Sequence, residues 1–285
     1  VVERSDEPVI NRTLKYESHG VEDPRIVKIK DTFYITYVAH DGKNALIAYT
    51  TSKDLKTFEK HGIISPQITY DEVGKILEGK KLKDRYLLFG AFYEDSAGKD
   101  VLLWEKDALI FPEKIHGHFA MTHRILPDMH IVYFKDFKEL KSKKFWKEHL
   151  AALPKHVVLE NKYWFESRNI GGGAPPIKTE RGWLFIYHGV EELNKARIYH
   201  ACAALVDLKN PTKTIGRLDY PLFSPEAEWE KNGYVSNVVF PTGTAIFGHD
   251  LYIYYGAADK VISVAKVNLK NLLKELEKKG KNETR

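Results

Sequence analysis

The stretch from Asp107 to Arg124, DALIFPEKIHGHFAMTHR, sets the pattern by which the rest of the chain is read. An acid opens it beside a short apolar run. A Pro and the turn pair His116-Gly117 interrupt it, and a strand-like segment closes it on His123-Arg124. β-prone runs on either side of a Gly-containing turn predict one hairpin. An acid and a strong cation at the two ends of a hairpin suit a site that protonates one group and holds an anion.

The unit returns three times: GVEDPRIVKIKDTFYITYVAH from Gly20, GAPPIKTERGWLFIYHGV from Gly173 and VVFPTGTAIFGHDLYIYYGAAD from Val238. Its marker prolines, Pro24, Pro112, Pro176 and Pro241, are 88, 64 and 65 residues apart. Turn pairs Lys30-Asp31, Arg181-Gly182 and His249-Asp250 separate the strand-like runs. Repeats of this size, one small antiparallel sheet each, predict the blades of a β-propeller. The expectation is an all-β, five-bladed β-propeller forming one catalytic domain over residues 1–285. Four blades are clear, and the fifth is partial or closed by the termini. The opening, VVERSDEPVINRTLKYES, reads as an outer strand or connection of that unfinished unit. Residues 63–106 form an insert, predicted as a helix over ITYDEVGKILEGKKLKD and a strand over RYLLFGAFYE.

Two helices are expected outside the blades. One lies near 137–153 and stops before Pro154; the other lies near 268–279 and stops at Gly280. Their apolar faces predict that at least one packs on another subunit, giving a homo-oligomer.

Composition narrows the function classes. A formal net charge of +5, spread along 285 residues, gives little support for a nucleic-acid partner. No apolar run approaches a membrane span. The single Cys, Cys202, excludes a disulfide framework within the chain and reads as a buried structural thiol. His residues are not grouped at metal-ligand spacing, so no catalytic metal and no cofactor are expected. The expected setting is cytoplasmic. Aromatic residues at 12% fit a β-rich, sugar-binding protein.

Six motifs, GVEDPRI (20–26), KDALIFPEKIHG (106–117), HRILPD (123–128), ESRNIGGGAPPIKTERGWLFIYHG (166–189), NVVFPTGT (237–244) and YYGAAD (254–259), resemble glycoside hydrolase family 130. The resemblance runs from about residue 8 to about 275. It implies a five-bladed propeller that phosphorolyses β-mannosides, with inorganic phosphate as co-substrate and mannose 1-phosphate as product. Members of the family usually carry a further segment before the part matching Pro8. Where the family often has a Lys before the glycine motif, this chain has Asn169 with Arg168 beside it.

Chemistry gives that resemblance content. Inverting hydrolysis needs two carboxyl groups, an acid for the leaving oxygen and a base for water. Phosphate is already an anionic nucleophile, so phosphorolysis needs one acid and a cluster of cations that holds a dianion in line. Asp107 matches the family's acid, and the resemblance implies that its proton passes through a sugar hydroxyl. Arg124, His188 and Gly256 hold equivalent places in successive units, each just after His123, Tyr187 or Tyr255, and so are expected at one channel. Arg124 and His188 match the family's phosphate ligands, and Arg168 and Asn169 are expected to add donors. Glu22, Asp23 and Arg25 match its substrate pocket, with Asp128, Tyr187 and Asp259 as further sugar contacts. Competing readings are a hydrolase of the same family, an arabinan- or fructan-cleaving propeller, and a sugar-binding propeller without activity.

Overall fold

The computed structural model of the chain describes residues 5–194 and 196–283. Among them the strands form four antiparallel sheets that follow one another along the chain. The first holds β1 (Gly20–Ile29), β2 (Thr32–His40), β3 (Ala45–Ser52) and β4 (Glu59–Ile63). The second holds β5 (Leu109–Ile110), β6 (Phe119–Ile125), β7 (Asp128–Phe134) and β8 (Val157–Leu159). In the third, β9 (Asn169–Gly172) and β10 (Ile177–Thr179) both pair with β11 (Gly182–Leu193), followed by β12 (Ala196–Val206) and β13 (Thr214–Arg217). The fourth has three strands, β14 (Val239–Phe247), β15 (Asp250–Ala257) and β16 (Val261–Asn268). The four sheets coincide with the four repeats read from the sequence. Two marker prolines lie in or beside register shifts, between Glu22 and Arg25 in β1 and between Pro241 and Gly243 in β14. Pro cannot donate to a ladder, so it collects at such bulges, where side chains are re-aimed.

The insert departs from expectation. RYLLFGAFYE is not a strand but most of a helix, α2 (Arg85–Ala97), which follows α1 (Tyr70–Leu77). Tyr86, Phe89, Tyr93 and Ala97 face inward at helical spacing, while Leu87, Leu88 and Phe92 are exposed. Its aromatic content mimicked a strand. The segment lies outside the sheets, where a helix alone satisfies its own backbone groups. Of the two readings of the opening stretch, outer strand or connection, the described residues fit the connection. Residues 5–19 hold a short 3-10 turn at Lys15–Glu17, and the first four residues lie outside the described ones.

The two expected helices are present with shifted ends. α3 spans only Lys143–Ala151, because Glu139–Lys141 and Leu153–Lys155 are 3-10 turns. A short helix α4 (Glu228–Lys231) precedes the fourth sheet, and α5 (Leu269–Glu283) runs through Gly280 rather than stopping there. Gly280 serves close approach: a Cβ there would lie 1.8 Å from the Ile215 carbonyl oxygen. The apolar faces that suggested a second subunit are covered within the chain. Trp146 and Leu150 join the core under the first two sheets, and Leu272, Leu273 and Leu276 pack with Leu184, Leu205, Leu251 and Ile253.

Each sheet is tied to the connection before it by one buried glutamate. Tyr37 donates its hydroxyl to Glu17 at 2.8 Å, Tyr187 to Glu166 at 2.7 Å and Tyr255 to Glu230 at 2.6 Å. In the second sheet His123 takes the tyrosine's place, with Nδ1 2.8 Å from Glu105. Glu17, Glu166 and Glu230 also accept two backbone N–H groups of their own turns. The recurring signature is an aromatic residue, Glu, then Ser or Lys: Tyr16-Glu17-Ser18, Trp104-Glu105-Lys106, Phe165-Glu166-Ser167 and Trp229-Glu230-Lys231.

Two of these carboxylates are neutralised from the fourth strand of their sheet, by Lys60 at 2.6 Å from Glu17 and by Arg217 at 2.6 Å from Glu166. Removing a partner from a buried pair strands the other charge and costs about 3–5 kcal/mol. Arg217→Ala is therefore expected to lower unfolding free energy by that amount in urea titrations. Lys178→Ala, which breaks the exposed pair with Glu113, should change it by less than about 1 kcal/mol.

Candidate active site

The hairpin places its acid and cation together, as its sequence predicts. Leu109 pairs with Thr122 and Ile110 with Met121, and continuing this register sets Asp107 opposite Arg124. Arg124 Nη1 lies 2.6 Å from Asp107 Oδ2. Asp107 has φ of 59°, a left-handed conformation that turns its carboxyl inward just before β5. His188 on β11 brings Nε2 to 3.8 Å from the same oxygen. Arg25, aimed by the bulge in β1, holds Nη2 4.0 Å from Oδ1, and its Nε donates to the Gly173 carbonyl. The guanidinium lies 5.3 Å from the centre of the Phe240 ring on β14. All four sheets thus contribute to one centre. Gly171 makes room for it, since a Cβ there would come within 2.5 Å of both Asp107 Oδ2 and His188 Cε1.

Among the described residues, seven buried side-chain polar atoms have no hydrogen-bond partner. Four of them meet here, Arg25 Nη2, Arg124 Nε and both ring nitrogens of His188, about Asp107 Oδ2, which also lacks a well-aligned hydrogen bond but has Arg124 Nη1 at 2.6 Å. Such atoms are few in a native interior and each asks for an explanation. A compact anion with several acceptor oxygens answers to the two guanidinium nitrogens and to a ring N–H.

Burial alone would push the Asp107 carboxyl up, but Arg124, His188 and Arg25 together outweigh it and hold it below the ordinary range. Burial pushes His188 down to about 4, helped by Arg124 and Arg25 and opposed by Asp107, so it is neutral at neutral pH. Two guanidiniums then stand about the Asp107 carboxylate, with Asp23 as the next acid beside Arg25. Asp23 is shifted upward by burial and by its neighbours Asp107 and Glu22, against Arg25 and Lys106.

Above the centre opens a cleft of about 500 Å³ lined by Glu22, Asp23, Lys106, Tyr199, Phe240, Gly256 and Asp259. Lys106 bridges to Glu22 across its rim at 3.1 Å. The expected residues therefore divide. Asp107, Arg124, His188 and Arg25 converge, and Glu22, Asp23 and Asp259 line the cleft above them. Asn169 is buried two residues before Gly171 on β9, and alternation puts both on one face.

Three expected residues lie elsewhere. Tyr187 precedes His188 on one strand, so its side chain takes the opposite face and binds Glu166 and Arg217 in the core. Arg168 turns away for the same reason, pairing with Glu192 at 2.9 Å and lying over the Phe89 ring. Asp128 accepts from Lys83, the Tyr86 hydroxyl and the Asn161 amide, and thereby anchors the helical insert. Lys106, Tyr199 and Phe240 were given no role from the sequence, although Lys106 stands beside Asp107 and Phe240 lies in the motif NVVFPTGT; Gly171 belongs to the glycine motif noted there.

The family model described as beta-1,4-mannooligosaccharide phosphorylase, glycoside hydrolase family 130, matches residues 2–278. A 1,2-beta-oligomannan phosphorylase of Thermoanaerobacter sp. (strain X514) is 35% identical over 94% of this chain and 75% of its own length. A beta-1,2-mannobiose phosphorylase of the same organism is 36% identical over 93% of this chain and 72% of its own. The solved beta-1,2-mannobiose phosphorylase of Listeria innocua, in complex with beta-1,2-mannobiose, superposes with a TM-score of 0.71 at 29% identity. That superposition covers 96% of this chain and 65% of the solved one, so the chain spans about two thirds to three quarters of these relatives.

Two outcomes follow from the geometry. Gly171→Ala should leave the circular-dichroism spectrum unchanged yet cut turnover by about a hundredfold, the scale of a 1 Å misplacement of reacting groups. Between pH 6.5 and about 4 the unfolded chain binds a proton at residue 188 that the folded chain refuses. Stability should therefore fall as pH is lowered through that window, by about 3 kcal/mol from this residue. Urea titrations of the protein and of His188→Asn measure it, the variant losing that part of the slope.

Proposed function

We propose that this chain, which belongs to glycoside hydrolase family 130, cleaves β-mannosides with inorganic phosphate and inversion, releasing α-mannose 1-phosphate. The observation that carries the reading is the convergence of four unpartnered nitrogen atoms around a single carboxylate. A hydrolase would need a second carboxylate placed to activate water. Asp23, a further acid of the cleft, stands close enough to the Arg25 guanidinium and to Lys106 for both to act on its carboxyl. The names of the two relatives at 35% and 36% identity favour β-1,2-linked manno-oligosaccharides over β-1,4-linked ones.

The four sheets are read as four blades of a five-bladed propeller whose channel holds the centre. Phosphate binds between Arg124, Arg25 and His188, with Asn169 at its edge, and the mannoside occupies the cleft lined by Glu22, Asp23 and Asp259. A phosphate dianion offsets the guanidinium charges that keep Asp107 ionised, so its carboxyl pKa rises as the nucleophile arrives. Asp107 then delivers a proton toward the glycosidic oxygen through a sugar hydroxyl while phosphate oxygen attacks the anomeric carbon from the opposite face. The carbon–oxygen bond to the leaving sugar breaks as the bond to phosphate forms.

Asp107→Asn keeps the shape but cannot give up a proton, so cleavage should be abolished at every phosphate concentration while oligosaccharide binding persists. Arg124→Ala removes a charge-assisted contact of about 1.5–3 kcal/mol. That should raise the KM for phosphate roughly tenfold to a hundredfold, with part of the rate recovered at high phosphate. Free mannose formed by the unsubstituted protein in phosphate-free buffer would replace this reading with hydrolysis.

A further inference from the structure

The sheet that carries Asp107 and Arg124 is tied differently from the other three. In those three a tyrosine hydroxyl meets a glutamate that also takes two backbone N–H groups. In the second sheet the tie is the His123 ring, which has a second nitrogen to offer. Nδ1 lies 2.8 Å from Glu105 Oε1, and Nε2 lies 3.0 Å from His149 Nε2 on α3. One of these two facing nitrogens carries the hydrogen and the other accepts it. The Trp146 ring meets the imidazole edge-on, with centres 5.3 Å apart. Glu105 is fully buried, and its second oxygen has no hydrogen-bond partner among the described residues. His123 therefore holds the Glu105 carboxyl, and His149 and Trp146 fix the imidazole from behind.

This tie brackets the acid and its cation. Glu105 lies two residues before Asp107, and His123 lies next to Arg124. The backbone of Arg124 is fixed on both sides, because β6 is an interior strand paired with β5 and β7. Asp107 has no such support. The ladder between β5 and β6 starts at Leu109, and Asp107 precedes it in its left-handed conformation. On one side Asp107 is held through Ala108, whose carbonyl accepts the Thr36 hydroxyl at 2.7 Å. On the other it is held through Glu105, whose N–H donates to the Ala45 carbonyl at 2.9 Å and whose carboxyl rests on His123. The Asp107–Arg124 ion pair cannot keep the two groups in place through the reaction proposed above. Phosphate draws on Arg124 there, and the acid passes through its protonated form.

We propose that Glu105 and His123 are positioning residues for this reaction. Their hydrogen bond, backed by His149, keeps the Asp107 carboxyl in its place beside Arg124 while the ion pair loosens during turnover. The inference rests on the phosphorolysis proposed above for the identity of the nucleophile, and on the geometry of the hairpin for the tie itself. Without the tie the acid is displaced while Arg25, Arg124 and His188 still receive phosphate. The loss therefore falls on kcat and not on the KM for phosphate.

Steady-state turnover against phosphate concentration, with a urea titration of each protein, tests this in Glu105→Ala, Glu105→Gln and Tyr37→Phe. Glu105→Ala should lower kcat by about tenfold to a hundredfold, the scale of a misplaced reacting group, and leave the KM for phosphate near its original value. Glu105→Gln keeps the shape and an oxygen that accepts from the imidazole, so it should restore most of kcat. Tyr37→Phe breaks the corresponding tie in the first sheet. It should lower stability and leave kcat unchanged, which separates positioning from a general loss of stability. Unchanged kcat in Glu105→Ala, a glutamine variant no faster than the alanine one, or an equal loss in Tyr37→Phe would overturn the proposal. His123→Phe fills the place of the ring and makes neither hydrogen bond, so it repeats the comparison if Glu105→Ala does not fold. Free mannose formed without phosphate would overturn the assigned reaction, and the same ratios, read on mannose release, would still decide the tie.

Discussion

A buried carboxylate must be compensated where it stands, and Asp107 is compensated by two guanidiniums from different sheets, with a neutral imidazole from a third beside it. Arg124 comes from the same hairpin, Arg25 from the first sheet, and His188 from the third. Two guanidiniums crowd this carboxylate in a medium that screens charge poorly. Buried charges at that density call for an anion or water at hand. On the proposed reading that partner is phosphate, and Asp107 stays ionised until it binds. Structure and chemistry therefore share one electrostatic constraint.

The sheets are held in place to meet it by a second set of buried charges. Glu17, Glu105, Glu166 and Glu230 each join a turn to a central strand of the next sheet. Strand alternation keeps the two sets apart. On β6 His123 serves Glu105 while its neighbour Arg124 serves Asp107, and on β11 Tyr187 serves Glu166 while His188 faces the centre. One residue along a strand reverses the face, so each dipeptide carries one anchoring side chain and one chemical side chain. Glycine completes the arrangement at Gly171, where a methyl group would displace both the acid and the imidazole.

Much of this was legible in the chain. The four repeats became four sheets because hairpin turns and β-prone runs are local signals that no tertiary contact opposed. Asp107 and Arg124 were readable as partners because a tight hairpin dictates which residues lie opposite. The reading failed where local appearance and environment disagreed. The aromatic run of α2 has strand-like composition, yet it lies outside any sheet and coils to satisfy its own backbone. Gly280 looks like a helix stop and instead lets α5 lie against β13. Tyr187 and Arg168 were taken with their neighbours as one group, although alternation alone separates them.

The amino-acid sequence by itself determined the repeat, the hairpin and the pairing of one acid with one cation, since all three depend on contacts between residues close along the chain. Only the tertiary structure decided that Arg25 reaches the same carboxylate, that Asp128 anchors an insert instead of lining the cleft, and that Tyr199 and Phe240 belong to that cleft. Those facts depend on how separate sheets are oriented about one centre. Such orientation is set by the summed packing and burial of many side chains, and no single stretch of sequence records it.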